Sequence, residues 1–312
     1  MLIIDTDAGT DDFLAISMAL ENMPDDILGI SAVYGNVSVG QAVENIAYFL
    51  QLSGRADDIP IWRGAATPLQ HDAVLAQDIH GADGLGAARS VVPQLSSTEW
   101  HDSLSAFLSL KPSPEAKAPP IDLLFIGPCT NGPALVDAIG TNRIGRVVIM
   151  GGSIFDVGNI TPQAEFNVYN DPEAFRYMLT SGLDVTLVPL DITRKVQLGT
   201  SLIQGMGGTS ASDLILALRE AMLGYATAYG DLEGIDGCYA HDALAWLVMR
   251  HPERFKLQKM SVDVCVSDDK TRGELRLAEG GTADEPSSEI SVALGADWKW
   301  VRETITSYLR SG

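Results

Sequence analysis

Short apolar runs recur along the chain, and nearly all of them end in polar or glycine-rich residues. Because these runs are apolar throughout instead of alternating, they are typical of parallel strands that are covered on both faces. Segments with helical spacing, such as 12–20 and 43–52, lie between them. The pattern predicts an α/β, Rossmann-like layered fold with a mostly parallel central sheet flanked by helices. The predicted strands are Leu2–Ile4, Ile27–Tyr34, Ile59–Trp62, Asp122–Ile126, Arg146–Met150 and Asp184–Leu190.

The residues that follow these strands indicate where a ligand would bind. They are Asp5 and Asp7, Asn36, Gly127–Asn131, Gly151-Gly152 and Asp191. In open parallel sheets, ligands bind in the crevice beyond the carboxyl ends of the strands, so we expect these loops to converge on one site. The polar segment 90–120 is similar to a linker, but the strand pattern resumes directly after it. We therefore predict a single domain that spans residues 1–312.

The composition excludes several classes of partner. The chain has 21 Lys and Arg against 41 Asp and Glu, a formal net charge of −20, and so acidic a surface repels nucleic acids and anionic membranes. No apolar run is long enough to cross a membrane, and no signal-peptide core precedes Asp5. The three cysteines, Cys129, Cys238 and Cys265, are too widely spaced to suggest a disulfide framework. We expect a cytoplasmic protein.

Four carboxylates lie within eight residues of the N-terminal loop Asp5–Asp12, which follows a strand and precedes a helix. Such crowding is costly unless a cation compensates the repulsion, and Ca²⁺ or Mg²⁺ would take oxygen ligands of this kind. A calcium-binding EF-hand is excluded, because the positions that need Gly and Glu hold Thr10 and Ile16. The loop therefore predicts a divalent-metal site of another type.

Two classes of metal enzyme are compatible with this loop. In a haloacid-dehalogenase-like phosphohydrolase, Asp5 would be the nucleophile, although Thr10 stands one residue late for that motif. Such an enzyme would also need a downstream lysine and a late acidic pair, for which Lys195 and Asp268-Asp269 are poorly matched candidates. A phosphohydrolase of this class remains the alternative interpretation.

The loop more closely resembles the signature of the inosine–uridine-preferring nucleoside hydrolases, Asp-Thr-Asp-Pro-Gly-x-Asp-Asp, with Ala8 in place of Pro. Further blocks that are similar to those of the family follow in order. They are Gly35-Asn36, His80–Gly86, Gly127–Asn131, Met150–Gly152, Gly158–Asn167, Gly237–Ala243 and Thr271–Gly273. The resemblance implies the nucleoside hydrolase fold and Ca²⁺-dependent hydrolysis of the N-glycosidic bond of ribonucleosides to ribose and free nucleobase. A non-catalytic nucleoside-binding relative would have lost one of these groups, and none is lost.

The resemblance also implies a metal site and a catalytic base. Asp7, Asp12, Asp242 and the backbone carbonyl of Thr130 would hold one Ca²⁺, together with water and two ribose hydroxyls. Asp7 would in addition be the general base for a water that the ion activates, and Asn36 would orient that water. The expected transition state is similar to an oxocarbenium ion.

The remaining roles implied by the resemblance concern the substrate. His241 would protonate or bind the leaving base, since imidazole changes its charge near neutral pH, and a homodimer or homotetramer is expected. The preference between purine and pyrimidine bases stays open. The predicted contacts are Asp11 and Asn167 to ribose hydroxyls, Asn159 and Glu165 to the 5′-hydroxyl, Met150 against the sugar, Phe166 as a wall, Asn36 and Asp242 beside the ribose, Tyr225, Tyr229 and His241 at the base, and His80 on a closing loop.

Overall fold

The computed structural model describes residues 1–23, 25–93, 99–110, 119–208, 211–266, 270–277 and 288–311. The strands in these ranges are β1 (Leu2–Thr6), β2 (Ile27–Ala32), β3 (Ile61–Arg63), β4 (Ile121–Phe125), β5 (Ile144–Met150), β6 (Asp184–Val188), β7 (Gln197–Leu198), β8 (Cys238–Tyr239), β9 (Phe255–Val264), β10 (Leu275–Leu277) and β11 (Ser288–Ala296). The α-helices are α1 (Thr10–Asn22), α2 (Val39–Leu52), α3 (Gln77–His80), α4 (Ala88–Val91), α5 (Leu104–Ser109), α6 (Gly132–Ile139), α7 (Phe166–Asn170), α8 (Pro172–Thr180), α9 (Leu190–Thr193), α10 (Thr200–Gln204), α11 (Asp213–Glu233), α12 (His241–Arg250) and α13 (Trp298–Ser311). Short 3₁₀ turns cover Cys129–Asn131, Thr141–Arg143 and Pro252–Arg254.

In the described ranges, nine strands form one sheet in the order β10-β9-β11-β6-β5-β4-β1-β2-β3. All neighbours from β11 to β3 are parallel, whereas β9 runs antiparallel to both β11 and β10. The predicted α/β fold with a mostly parallel sheet is therefore confirmed. The sheet takes strands from both ends of the chain, which supports the proposed single domain.

The antiparallel edge and some strand ends differ from what apolar runs alone predict. Several side chains of β9 are exposed, because a strand in an antiparallel part of a sheet need not be covered on both faces. The predicted strand Ile27–Tyr34 extends two residues beyond the observed end at Ala32. Val33 and Tyr34 are nevertheless fully buried, so their apolar character reflects burial of the following loop.

The strand order reverses between β1 and β4, with β2 and β3 on one side and β5 and β6 on the other. A reversal of this kind opens a crevice at the carboxyl ends of the two central strands. The acidic loop follows β1, and the 3₁₀ turn Cys129–Asn131 follows β4. Gly127 lets these two segments approach each other, since a Cβ atom there would lie 2.9 Å from the backbone nitrogen of Asp7.

Helices cover both faces of the sheet and fix the strand ends from either side. One apolar cluster joins the sheet to α1, α2, α11, α12 and α13, and a second joins the opposite face to α5, α6 and α8. In the first cluster the ring of Phe13 packs edge-on against Phe49, with centroids 4.0 Å apart. In the described part of the chain, no helix is long and apolar enough to cross a membrane.

Candidate active site

The acidic loop carries its carboxylates on a tight turn between β1 and α1. Ala8 adopts a left-handed backbone with φ of 54°, a value that the fixed ring of a proline could not reach. The Gly9 amide donates to Asp12 Oδ2 at 2.9 Å, and the Thr6 hydroxyl donates to Asp12 Oδ1. Both oxygens of Asp12 are therefore held by the turn in which it lies.

Asn36, at the end of the second strand, joins two of these carboxylates. Its backbone amide donates to Asp7 Oδ2 at 2.7 Å, and its side-chain amide donates to Asp7 Oδ1 at 3.0 Å and to Asp12 Oδ2 at 3.1 Å. The bonds to both carboxylates, which are charge-assisted when these groups are ionised, fix their orientation. Asn36 also faces the cleft described below, so its position is compatible with the predicted contact to water.

A third acidic group reaches this cluster from α12. Among the described residues, Asp11, Asp12 and Asp242 bring one carboxylate oxygen each to within 4.8 Å of one another. Burial raises the pKa of Asp11 and Asp242 well above the usual range, and the charges of neighbouring carboxylates raise it further. Buried oxygens that ionise so reluctantly fit a divalent cation, whose charge would replace that of the protons.

The other two predicted metal ligands are Asp7, which Asn36 joins to Asp12, and Thr130, whose hydroxyl contacts Tyr34 and Asp171. Burial and the charge of Asp12 raise the pKa of Asp7 well above its usual value. The Thr130 hydroxyl donates to Asp171 Oδ2 at 2.8 Å, so the side chain of Thr130 is engaged away from the carboxylates. Its backbone carbonyl is then the group through which Thr130 could act as a ligand.

Asp5 is separate from the cluster, although it belongs to the same sequence motif. It is 1 % exposed, does not line the cleft, and accepts hydrogen bonds at Oδ2 from the Ser31 hydroxyl and from Asn131 Nδ2 at 2.7 Å. Burial raises its pKa to about 7. Asp5 therefore ties the turn after β4 to the end of β1, whereas Asp11 and Asp242 of the carboxylate cluster line the cleft.

The other requirements of the phosphohydrolase alternative are not met by the described residues. Lys195 is exposed and does not line the cleft. Asp268 and Asp269 lie outside the described residues. The structure consequently gives no support to a reaction that begins at Asp5.

A cleft with an empty volume of about 760 Å³ opens above the carboxylates. All twelve residues predicted to bind substrate line it, namely Asp11, Asn36, His80, Met150, Asn159, Glu165, Phe166, Asn167, Tyr225, Tyr229, His241 and Asp242. Sequence reasoning missed the lining residues Leu75, Ala76, Asp78, Ile79, Ile126 and Ile160. Their only sequence signal is position, since 75–79 directly precede His80 and Ile160 follows Asn159.

One end of the cleft is built from the loop after β5 and the start of α7. Glu165 caps α7 by accepting hydrogen bonds from the backbone amides of Asn167 and Val168, and it also accepts one from Gly152 at 2.8 Å. Burial raises the pKa of Glu165. Asn159 Oδ1 accepts from the Phe166 amide at 2.8 Å. This end thus presents amide and carboxylate groups that are held by backbone contacts.

The opposite end of the cleft is aromatic. The Tyr225 hydroxyl donates a hydrogen bond to the Tyr229 hydroxyl at 3.4 Å, and the Tyr229 hydroxyl lies 3.1 Å from His241 Nε2. The Thr193 hydroxyl lies 2.7 Å from His241 Nδ1. Burial lowers the pKa of His241 to about 3, so the ordinary imidazole pKa on which the sequence argument relied does not apply here.

His80 contacts both the start of α1 and the aromatic residues of the cleft. Its Nδ1 accepts a hydrogen bond from the Thr10 amide at 3.2 Å, and its ring stacks on Tyr225 with centroids 4.7 Å apart. The neighbouring Asp83 does not line the cleft but pairs with Arg89 at 3.0 Å. The loop predicted to close over substrate is thus tied to α1 at one residue and to α4 at another.

Comparison with known proteins identifies the family. The sequence profile described as inosine-uridine preferring nucleoside hydrolase matches residues 2–303. The chain is 31% identical over 316 residues to uridine nucleosidase 1 of Arabidopsis thaliana, covering 99% of this chain and 92% of the relative. Among solved structures, the plant nucleoside hydrolase PpNRh1 aligns with a TM-score of 0.87 at 28% identity, over 100% of this chain and 99% of its own.

A second solved structure extends the range of named substrates. The purine-preferring ribonucleoside hydrolase from Gardnerella vaginalis aligns with a TM-score of 0.83 at 26% identity, over 99% of this chain and 97% of its own. The fold, the cleft and these similarities agree. The chain therefore belongs to the inosine-uridine preferring nucleoside hydrolase family, whose enzymes hydrolyse the N-glycosidic bond of ribonucleosides.

Proposed function

We propose that this cleft hydrolyses ribonucleosides with one Ca²⁺ held by Asp7, Asp12, Asp242 and the carbonyl of Thr130. The observation that carries the proposal is the buried carboxylate cluster of Asp11, Asp12 and Asp242, to which Asn36 joins Asp7, beside a cleft that Asp11 and Asp242 line. When bound, the cation would supply Lewis-acid polarisation of the attacking water and of the ribose hydroxyls. Oxygen-only ligands favour a hard cation over a transition metal.

Asp7 is the proposed general base. Its two oxygens are oriented by the backbone and side-chain amides of Asn36, which leaves lone pairs on the same oxygens to accept a proton from water. Asn36 faces the cleft and would help to position that water. The base and its orienting group thus come from the ends of adjacent strands.

The polar end of the cleft is proposed to bind the ribose. Asp11 and Asn167 would accept and donate hydrogen bonds at the secondary hydroxyls, and Asn159 and Glu165 would bind the 5′-hydroxyl. As the bond to the base breaks, positive charge develops on the sugar, and carboxylates fixed in a dry site stabilise such charge without reorganisation. Met150 and Phe166 would exclude water from the sugar.

The aromatic end is proposed to bind the leaving base and to supply its proton. His241 is neutral at physiological pH because burial lowers its pKa to about 3. It can still donate a hydrogen bond from one ring nitrogen while the other accepts. Tyr229 and Tyr225 would orient the imidazole through their hydrogen bonds, and the proton that Asp7 takes from the attacking water would balance the one given to the base. His80 would cover the base.

A homodimeric or homotetrameric state and a cytoplasmic location stay predictions.

The experiment that tests this proposal compares matched carboxylate variants. Purified protein with Ca²⁺ is assayed for reducing sugar released from uridine, inosine, cytidine and adenosine. Asp7→Asn is expected to lose on the order of 10³-fold or more in kcat while remaining folded. The control Asp122→Asn, which alters an exposed ion pair with Arg146, should retain turnover. Near-normal kcat in Asp7→Asn would refute the assignment of the base.

A further inference from the structure

Asp191 follows β6 and belongs to the set of strand-end residues predicted to converge on the ligand, yet it does not line the cleft. Asp191 lies in the first turn of the short helix α9, and Arg194 directly follows the helix. Both side chains turn toward the loop Ser153–Gly158, which leads from β5 to Asn159. The charge of Arg194 acts on Glu165 and His241, but the contacts of Asp191 and Arg194 with the loop need another explanation.

Asp191 and Arg194 both form hydrogen bonds with the backbone of this loop, Asp191 as an acceptor and Arg194 as a donor. Asp191 accepts hydrogen bonds from the backbone amides of Ile154 at 2.9 Å and Phe155 at 2.6 Å. Arg194 donates to the backbone carbonyls of Val157 at 2.7 Å and Gly158 at 3.2 Å. Four successive contacts to backbone groups therefore fix the path of the loop.

Apolar burial holds the start of this loop, where Ile154 packs against the second apolar cluster, but not its middle. Phe155 is 66% exposed and Val157 is 60% exposed, so the hydrophobic effect does not hold them against the fold. A loop with exposed side chains and few apolar contacts opens easily unless polar bonds restrain it. Arg194 is itself mostly buried, with 13% of its side chain exposed, and is thus pre-positioned to restrain the loop.

The loop ends at the residue that completes the polar end of the cleft. Gly158 directly precedes Asn159, whose Oδ1 is bonded to the Phe166 amide. A shift of the loop would therefore move Asn159 relative to Glu165, which is anchored separately on α7. Because hydrogen-bond energy falls steeply with distance and angle, a small displacement would weaken any contact that needs both residues.

We propose that Asp191 and Arg194 are positioning residues that hold Asn159 in place for the ribose 5′-hydroxyl, and that they thereby set the preference of the enzyme for a 5′-hydroxyl group. This inference rests on the proposed function, in which Asn159 and Glu165 bind that hydroxyl. It predicts a loss of discrimination at one position of the sugar, whereas a purely structural role would lower activity toward all substrates equally.

The test compares kcat/KM for uridine with that for 5′-deoxyuridine. Arg194→Met is expected to lower the ratio of the two values about tenfold, the effect of losing one well-placed hydrogen bond, mainly through slower turnover of uridine. Asp191→Asn keeps one acceptor and should lower the ratio less. If Arg194→Met does not fold, the ratio of the two kcat/KM values in Asp191→Asn alone tests the inference.

The matched control is Arg176→Met. Arg176 forms similar contacts, since it pairs with Asp263 and donates a hydrogen bond to the Val264 carbonyl. These contacts join α8 to β9 away from the cleft. It should lower thermal stability without altering the ratio. An unchanged ratio in folded Arg194→Met and Asp191→Asn, or an equal change in Arg176→Met, would overturn the inference.

The failure of the proposed function is distinguishable from the failure of this inference. If the wild-type protein releases no ribose from any nucleoside, the proposed function fails. Calorimetric binding of ribose against 5-deoxyribose, in the presence of Ca²⁺, then decides the inference without turnover. A wild-type preference for ribose that Arg194→Met abolishes supports it, and equal binding of the two sugars by the wild type refutes it.

Discussion

Replacement of Asp5 by Asn separates the two readings of the acidic motif and has a calculable effect. Asp5 is 1 % exposed, and burial raises its pKa from 3.8 to about 7. Because the folded-state pKa lies above the unfolded one, protonation favours folding: the contribution is complete below pH 3.8 and is lost as the pH rises to about 7. That loss amounts to on the order of 4 kcal/mol. Asparagine does not ionise and lacks this pH dependence.

The assay is urea unfolding of wild type and Asp5→Asn, in a chelator, from about pH 4 to about pH 8. The difference in free energy of unfolding should shift in favour of the variant by on the order of 4 kcal/mol across this range. The Asp122→Asn control should show no comparable shift. A flat difference for Asp5→Asn would refute the reasoning about burial.

The same variant also tests catalysis. Asp5 contacts Ser31 and Asn131 and does not line the cleft, so Asp5→Asn with Ca²⁺ should hydrolyse uridine within about tenfold of the wild-type rate. A phosphohydrolase that used Asp5 as its nucleophile would instead lose its activity completely. Phosphate release from a phosphomonoester by the wild type, abolished in Asp5→Asn, would contradict our account.

EDTA should abolish turnover. The affinity for Ca²⁺ should rise with pH, because the pKa values of Asp7 and Asp242 are raised and protons must therefore leave as the cation binds. Calorimetry in buffers of different ionisation enthalpy measures this proton release, and Ca²⁺ binding without proton release would contradict the proposed site. Tyr229→Phe removes the hydroxyl that bonds His241 Nε2 and should lower kcat for uridine about tenfold or more, but not for p-nitrophenyl riboside, whose leaving group needs no proton. Equal losses on both substrates would disprove the proposed role of Tyr229. Asn36→Ala should weaken Ca²⁺ binding by about 10–100-fold in a direct titration, and unaltered affinity would show that the amide does not orient the ligands.

The parallel part of the fold was predictable because strands covered on both faces leave continuous apolar runs in the sequence. The antiparallel part of the sheet left no such trace, since β9 mixes buried, partly buried and exposed positions. The place of the site was predictable for a related reason. Polar residues at the ends of parallel strands lie at one edge of the sheet, where the reversal between β1 and β4 opens a crevice. Of those predicted to converge there, Asn36 lines the cleft, whereas Asp5 and Asp191 hold neighbouring segments.

The roles of single residues could not be predicted from residue type alone. Asp5 and Asp7 are two residues apart and chemically identical, yet Asp5 bonds to Ser31 and Asn131, whereas Asp7 is joined through Asn36 to the carboxylate cluster. His241 carries an ordinary side chain whose pKa burial lowers to about 3. Arg194 had no sequence signal, because its partners are backbone carbonyls, which every residue possesses. Apolar lining residues such as Ile126 are likewise indistinguishable from core residues in the sequence.

The most direct test of the central claim is the release of ribose and uracil from uridine by the Ca²⁺-loaded protein in phosphate-free buffer. We expect free ribose and free base in equal amounts, with no requirement for phosphate, and loss of both products when Asp7 is replaced by Asn. Absence of ribose across purine and pyrimidine nucleosides, or release that depends on added phosphate, would contradict hydrolysis at this site.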